Sequence, residues 1–118
     1  MATALPTRHA LVTGAAGGIG RGICMALIEQ ARRDGVGIHI SAASTQGGAR
    51  LDGLLGALRA AGAQGSGVVG DLTVPEQCAD IVAQAQQAAG DLHLLVCNAG
   101  ASGPGRLVDL PVAQWDRT

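Results

Sequence analysis

A glycine-rich segment near the N-terminus constrains the fold of this chain more than any other feature. Residues 12–20 read Val-Thr-Gly-Ala-Ala-Gly-Gly-Ile-Gly, between the apolar run at 10–12 and the apolar, helix-compatible stretch at 23–28. A strand, a glycine turn and a helix in this order form the context that a dinucleotide site requires. The segment therefore predicts a strand–turn–helix unit that can hold a diphosphate at the positive end of the helix.

Three spaced glycines in this segment, Gly14, Gly18 and Gly20, each have a physical task in such a unit. One glycine permits the tight turn, one lets backbone N–H groups approach a pyrophosphate, and one lets the helix pack close to the strand.

Apolar runs and amphipathic segments alternate along the rest of the chain, with short connections between them. Strands are predicted at 9–13, 36–42, 66–70 and 92–97, and helices at 18–33, 49–61 and about 73–89. Right-handed crossovers then give an α/β fold of the doubly wound, Rossmann type, with the parallel strand order 3-2-1-4. Ligands of such folds lie beyond the carboxyl ends of the strands, where the loops at 14–20, 42–45, 71 and 98–100 should converge.

Local patterns refine two of the predicted helices. The spacing in the first helix places one set of residues on a common face: Ile19, Ile23, Ala26, Leu27 and Gln30. Thr73 followed by Glu76 predicts a capping box at the start of the third helix.

Composition limits the classes of function. The chain has 118 residues, of which 47% are hydrophobic and 14% charged, which predicts one folded domain. A net charge of −1 gives no electrostatic case for a nucleic-acid or acidic-membrane partner. Residues 1–8 have no signal-peptide core and no run has the length of a membrane span, so we expect a cytoplasmic protein.

Cysteines and histidines are few and dispersed. The cysteines lack metal-ligand spacing and lie in apolar segments, which predicts no metal site and buried thiols in a reducing compartment: Cys24, Cys78 and Cys97. The histidines lie in or beside predicted strands, where we expect structural roles: His9, His39 and His93.

Three motifs in order resemble those of the short-chain dehydrogenases/reductases. Residues 13–20 resemble the family's TGxxxGIG loop, and Asp71-Leu72 falls where the family has its adenine-contacting Asp. Residues 97–100 resemble its NNAG motif, with Cys97 in place of the first Asn, and 114–117 resemble a later stretch. The resemblance covers almost the whole chain, and its nearest subgroup is the 3-oxoacyl-(acyl-carrier-protein) reductases.

The resemblance implies a site for a nicotinamide dinucleotide. It assigns a pyrophosphate loop to Gly14, Gly18, Ile19 and Gly20. It assigns the adenine contact to Asp71 and Leu72, and the ribose and nicotinamide side to Asn98, Ala99 and Gly100. It also implies that full-length relatives are homo-oligomeric.

The end of the second strand decides between NAD and NADP. An acidic residue there would bind the ribose hydroxyls of NAD, but residues 41–45 contain none. Ser44 and Thr45 can donate hydrogen bonds to a 2′-phosphate, which favours NADP over NAD. Against this, Gly17 stands where many NADP-preferring relatives carry a basic residue. Arg50 is either a further phosphate partner or a solvated helix residue.

The chain contains no Tyr, and all eight basic residues are Arg. The resemblance implies a catalytic Tyr supported by a Lys, so no catalytic residue is predicted within residues 1–118. We interpret these residues as one partial NAD(P)-binding domain without the catalytic C-terminal half. By itself this domain should be inactive and, because strand four would be an exposed edge, marginally stable or prone to associate.

A stand-alone nucleotide-binding or interaction module is the alternative. A methyltransferase is less favoured, because Ala42 and Ala43 offer no acid at the end of strand two.

Overall fold

The computed structural model describes residues 6–101 and 105–117 of the chain. Residues 102–104, in the glycine-rich stretch that follows the fourth predicted strand, lie outside the described residues. The elements follow in the order β1 (Thr7–Thr13), α1 (Gly18–Arg33), β2 (Gly37–Ser44), α2 (Ala49–Ala60), β3 (Gln64–Val69), α3 (Pro75–Ala89), β4 (Leu94–Val96), a 3₁₀ turn (Leu107–Asp109) and α4 (Val112–Arg117).

The strands form one parallel sheet in the order β3-β2-β1-β4, which confirms the predicted topology. Strand β1 pairs with β2 from Thr7 opposite Gly37 to Thr13 opposite Ala43. On its other side β1 pairs with β4 over only three residues. All four carboxyl ends therefore point to one edge of the sheet.

Helices cover both faces of this sheet, as a doubly wound fold requires. Helices α1 and α2 cover the face that carries Val12 and Ile40, and their buried side chains include Ile28 and Leu54. Helix α3 covers the opposite face, on which Leu11, Ala43 and Val68 pack with Ile81 and Ala85. Successive residues of β1 thus enter different cores, which explains why the strand is apolar without alternation.

Strand boundaries differ from the prediction according to how many partners each strand has. Strand β2 was predicted to end at 42 but continues to Ser44, because β1 and β3 pair with it on both sides. Strand β4 was predicted over 92–97 but spans Leu94–Val96, because it pairs on one side only.

The common face predicted for α1 is only partly buried. Ile23 and Leu27 pack partly buried against the core, whereas the side chain of Ile19 is 76% exposed. The fully buried residues of the helix are Gly20, Cys24, Ile28 and Ala31. Gly20 makes the closest approach to the preceding turn and so sets which side of the helix faces the sheet.

The predicted capping box of α3 was also wrong. The residue that precedes the helix is Val74, which makes no side-chain cap, and Pro75 occupies the first turn. The hydroxyl of Thr73 instead donates to the carboxylate of Asp71 at 2.7 Å. A hydroxyl that is already bonded within a turn is not available to cap the helix.

Cysteine burial follows the prediction for one of the three thiols. Cys24 is buried between helix and sheet, and burial raises its pKa to about 11. Cys78 is half-buried, and Cys97 is exposed because it follows the edge strand β4. The expectation that all three thiols are buried was therefore wrong for Cys97. In the described part of the chain, no helix has both the length and the apolar character to cross a membrane.

Candidate functional site

A cleft of about 960 Å³ lies across the carboxyl edge of the sheet. All four loops that the sequence placed at this edge contribute to its lining. The predicted site residues in its wall are Gly14, Gly18, Ile19, Gly20, Ser44, Thr45, Asp71, Leu72, Asn98, Ala99 and Gly100. The structure therefore brings every predicted site residue together in one cleft.

The turn from β1 into α1 gives the three glycines different tasks. Gly14 has φ +62°, a backbone conformation that side chains other than hydrogen disfavour. A Cβ at Gly20 would collide with the carbonyl oxygen of Gly14 and lie 2.7 Å from the Cα of Ala15. A Cβ at Gly18 would meet no atom within 4 Å, so this position opens into free space at the start of the helix. The loop thus forms a compact turn with an unobstructed helix N-terminus, where the free N–H groups favour an anion.

Thr13 and Asn98 tie this turn to the segment after β4. The hydroxyl oxygen of Thr13 accepts hydrogen bonds from the backbone N–H groups of Asn98 and Ala99, both at 3.0 Å, and the hydroxyl donates to the carbonyl of Val96. In return, the Asn98 side-chain amide donates to the carbonyls of Thr13 and Gly14 at 3.2 Å each. These reciprocal bonds fix two walls of the cleft relative to each other.

This tie gives Asn98 a structural role beside its predicted place in the site. The sequence carried no separate signal for the hydrogen bonds of Thr13, which belongs to the glycine motif. Its position at the end of β1, opposite the segment after β4, followed from the predicted strand order, but the groups that its hydroxyl bonds did not.

Asp71 lies directly after β3 and is held in a fixed orientation. Its Oδ1 accepts hydrogen bonds from the hydroxyl of Thr73 at 2.7 Å and from the backbone N–H of Thr73 at 2.9 Å. Its own backbone N–H donates to Oε1 of Gln77 at 2.6 Å. The Thr73 hydroxyl, followed by the Thr73 N–H, lowers the pKa of the Asp71 carboxyl, which therefore stays ionised and accepts hydrogen bonds in the cleft.

The end of β2 and the start of α2 form the remaining wall. Ser44 is half-buried and Thr45 exposed, and both line the cleft. Arg50 also lines it, and its guanidinium donates across the cleft to the carbonyl of Ala16 at 3.5 Å. The sequence left Arg50 open between a phosphate partner and a solvated helix residue, and the structure places it over the glycine turn.

The cleft has two further charged residues, from the stretch 114–117, that the sequence did not assign to the site. Asp116 and Arg117, at the end of α4, contribute to its lining. Within the described ranges, no three His, Cys, Asp or Glu side chains lie close enough together to hold a metal ion.

Residues 8–118 match the pattern of the family described as short chain dehydrogenase. The chain belongs to the short-chain dehydrogenase family. The match includes all the loops that line the cleft, and it confirms the resemblance that the sequence motifs indicated.

Individual members of the short-chain dehydrogenase family resemble the chain over nearly its whole length. The L-rhamnose 1-dehydrogenase (NAD(P)(+)) of Sphingomonas sp. strain SKA58 is 32% identical over 114 residues, which are 97% of this chain and 42% of that protein. The structure of the NADH-dependent reductase A1-R′ complexed with NAD superposes with a TM-score of 0.80 at 27% identity, covering 95% of this chain and 44% of the reductase. A 3-ketoacyl-ACP reductase from Sinorhizobium meliloti 1021 gives a TM-score of 0.76 at 28% identity, over 93% of this chain and 41% of that one.

The chain thus spans about two fifths of the length of these relatives. Within that span the family's sheet order and the loops at its carboxyl edge are all present.

Proposed function

We propose that the cleft binds a nicotinamide dinucleotide, as the cofactor-binding part of a short-chain oxidoreductase. The observation that carries this proposal is the turn at Gly14–Gly20, where two glycines are required by close packing and Gly18 is left open above the helix N-terminus. A pyrophosphate fits there because the free N–H groups and the helix dipole both favour negative charge. The named relatives support the choice of ligand: one carries NAD(P)(+) in its name, and another was solved with NAD.

The remaining walls of the cleft suit the rest of such a cofactor. Asp71, ionised and held by Thr73, accepts a hydrogen bond from the adenine amino group, and the neighbouring Leu72 contributes its backbone. The segment Asn98–Gly100 lies beside the glycine turn, where it reaches the ribose and the nicotinamide.

Within this proposal NADP is the favoured cofactor. No acidic side chain occupies the end of β2, where it would repel a 2′-phosphate. Ser44 and Thr45 present hydroxyl donors at that point, and Arg50 adds a positive charge on the same wall. A guanidinium suits a phosphate because it presents paired N–H donors in a fixed plane.

The bound cofactor supplies or accepts a hydride, and these residues hold and orient it. The family's Tyr and Lys have no counterpart among the 118 residues, so we propose that residues 1–118 form one partial cofactor-binding domain and that carbonyl reduction needs groups outside it.

A cytoplasmic location is supported by the free thiols of Cys24, Cys78 and Cys97, which suit a reducing compartment.

Gly18 and Gly22 provide a matched test of cofactor binding. Both lie in α1, and a Cβ at either would meet nothing within 4 Å, so each Gly→Ala substitution leaves the packing of the chain intact. Only the methyl group of Gly18→Ala would stand where the pyrophosphate lies. We expect Gly18→Ala to weaken NADPH binding by roughly tenfold or more, the equivalent of ~1.4 kcal/mol, while Gly22→Ala binds like the unmodified chain. The measurement is a titration followed by the fluorescence of the reduced nicotinamide.

Parallel titrations with NADH test the choice between the cofactors. Tighter binding of NADPH than of NADH supports the 2′-phosphate assignment, and the reverse order contradicts it while leaving the dinucleotide site in place. If neither cofactor binds, or if Gly18→Ala and Gly22→Ala weaken binding equally, the proposed site is wrong.

A further inference from the structure

The turn that follows β3 contributes Asp71, Leu72 and Thr73 to the wall of the cleft at which the proposed function places the adenine. Two backbone N–H groups are bonded inside this turn. That of Thr73 donates to the Asp71 carboxylate at 2.9 Å, and that of Val74 donates to the Asp71 carbonyl at 3.1 Å. The backbone donors of Asp71 and Leu72 point elsewhere, and each has a different partner to find.

Gln77 takes up the Asp71 donor from behind the wall. It lies in the first turn of α3, outside the lining of the cleft, and its Oε1 accepts from the Asp71 N–H at 2.6 Å. A glutamine at the third position of a helix ordinarily reaches back to the N–H of the residue before the helix, which is Val74. That N–H is already bonded to the Asp71 carbonyl, so Gln77 reaches farther back, to Asp71 itself.

Close packing of β3 on α3 brings Gln77 within reach of the turn. A Cβ at Gly70 would lie 2.8 Å from the side chain of Ile81, so a glycine here lets the end of the strand approach the helix closely. The neighbouring Cys78 thiol donates to the carbonyl of Leu72 at 3.3 Å. Helix α3 thus holds the turn at two points.

Two groups of the turn remain available to a ligand. The Asp71 Oδ1 accepts both hydrogen bonds from Thr73, and no described residue donates to its Oδ2. Within the described chain, the N–H of Leu72 likewise meets no acceptor. An acceptor beside a donor matches the edge of adenine, whose amino group donates and whose neighbouring ring nitrogen accepts.

We propose that Gln77 is a positioning residue for adenine recognition. By accepting from the Asp71 N–H, it fixes the peptide that carries the carboxylate and removes a competing donor, so that the adenine ring meets the Leu72 N–H alone. This inference rests on the proposed function, because it concerns the adenine end of the same cleft. Without the Gln77 oxygen, the Asp71 N–H would lack an acceptor and its peptide would be free to turn.

The preference for adenine over hypoxanthine measures this positioning. In the hypoxanthine analogue of NADPH, a carbonyl oxygen replaces the amino group and the adjacent ring nitrogen carries a hydrogen, so both contacts with the turn are lost. The nicotinamide, the pyrophosphate and the 2′-phosphate are the same in both ligands. We expect the unmodified chain to bind NADPH roughly tenfold more tightly than the analogue, as the loss of a hydrogen bond to a charged group implies.

The variant Gln77→Met keeps the length of the side chain but removes the acceptor. NADPH affinity should fall while affinity for the analogue hardly changes, so that the preference shrinks roughly threefold or more, the effect of one neutral hydrogen bond. Gln77→Glu retains an oxygen acceptor and should keep most of the preference. Gln87→Met is the matched control, because Gln87 is exposed near the other end of the same helix. Titrations followed by the fluorescence of the reduced nicotinamide measure both ligands on all four chains.

The pattern across the two ligands separates a positioning role from a merely structural one. If Gln77→Met weakens the binding of NADPH and of the analogue equally, or leaves the preference unchanged, the positioning role is wrong. An unmodified chain that binds both ligands equally tightly also overturns it, while the dinucleotide site itself remains supported. If the unmodified chain binds neither ligand, the proposed function fails and this inference fails with it.

Amide hydrogen exchange in the unmodified chain decides the question if Gln77→Met does not fold. We expect the Asp71 N–H to be protected with and without NADPH, because Gln77 accepts its hydrogen. The Leu72 N–H should gain protection only when NADPH is bound. Rapid exchange at Asp71, or protection of Leu72 in the absence of the cofactor, would overturn the proposal.

Discussion

At the scale of single residues, Arg50 is the side chain whose role the structure changes most. From the sequence it was either a phosphate partner or a helix residue in solvent, because nothing in its local pattern distinguishes it from Arg59 at the other end of α2. In the structure it lies on the cleft wall and bonds to the carbonyl of Ala16. An arginine at this place can either support the glycine turn or bind a 2′-phosphate.

The variant Arg50→Gln separates these two roles. If the guanidinium binds the 2′-phosphate, NADPH affinity should fall roughly tenfold, which matches the loss of one charge-assisted hydrogen bond. NADH affinity should hardly change, because NADH carries no phosphate at that position. Isothermal titration calorimetry with both cofactors measures the two effects.

Arg59→Gln is the matched control, since it removes the same charge from an exposed position of the same helix. An equal loss of NADH and NADPH affinity in Arg50→Gln would assign the residue to support of the turn instead.

The residues of the candidate site were largely predictable from the sequence, because in this fold ligand-binding side chains lie at the carboxyl ends of the strands. Asp71 and Asn98 each follow a strand, and the carboxyl ends of parallel strands meet at one edge. Thr73 was misassigned because a capping box and an Asx-type turn require the same kind of residue at nearly the same place. Only the position of the Asp71 carboxylate, which captures the Thr73 hydroxyl, distinguishes the two.

At the scale of elements, the order of strands and helices followed from the sequence, whereas their faces and ends did not. The period of the apolar residues shows that α1 is a helix, but Ile19 and Ile28 lie on opposite sides of it and only Ile28 is buried. The choice between them is made by the contact of Gly20 with the turn, which is a tertiary interaction. Strand ends depend in the same way on the neighbouring strands rather than on local propensity.

The hydroxyl of Thr13 makes one half of the reciprocal hydrogen bonds that tie β1 to the segment after β4. The variant Thr13→Val keeps the shape of the side chain but removes the acceptor for the N–H groups of Asn98 and Ala99. We expect the free energy of unfolding to fall by about 2 kcal/mol or more, because two partly buried donors lose their partner. Urea unfolding followed by circular dichroism measures the change.

Thr7→Val is the control, because Thr7 is the exposed first residue of the same strand. Thr13→Ser should recover most of the lost stability, since it restores the hydroxyl. Equal stability of Thr13→Val and the unmodified chain would show that the tie contributes little.

At the scale of the whole molecule, the sheet is open at β4. Leu94 and Leu95 of this strand are 44% and 57% exposed, and the backbone groups on its outer side have no strand beside them in the described structure. Near the end of the described chain, Val108 and Val112 are also exposed, at 83% and 74%. An edge strand with exposed apolar side chains favours pairing with another chain.

We therefore expect the 118-residue chain to associate with itself as its concentration rises, and to unfold without a sharp transition. The variant Leu95→Lys should shift the population towards monomer, because a charge on an edge strand opposes pairing between sheets. Sedimentation velocity over a range of micromolar concentrations measures the shift, with Val108→Lys as the matched substitution away from the strand. If only Val108→Lys restores the monomer, the association surface is the C-terminal segment rather than β4. The opposite result would be a chain that stays monomeric at every concentration and unfolds in one cooperative thermal transition. It would show that the open edge lowers the free energy of unfolding little, and that four strands with helices on both faces suffice for a stable core.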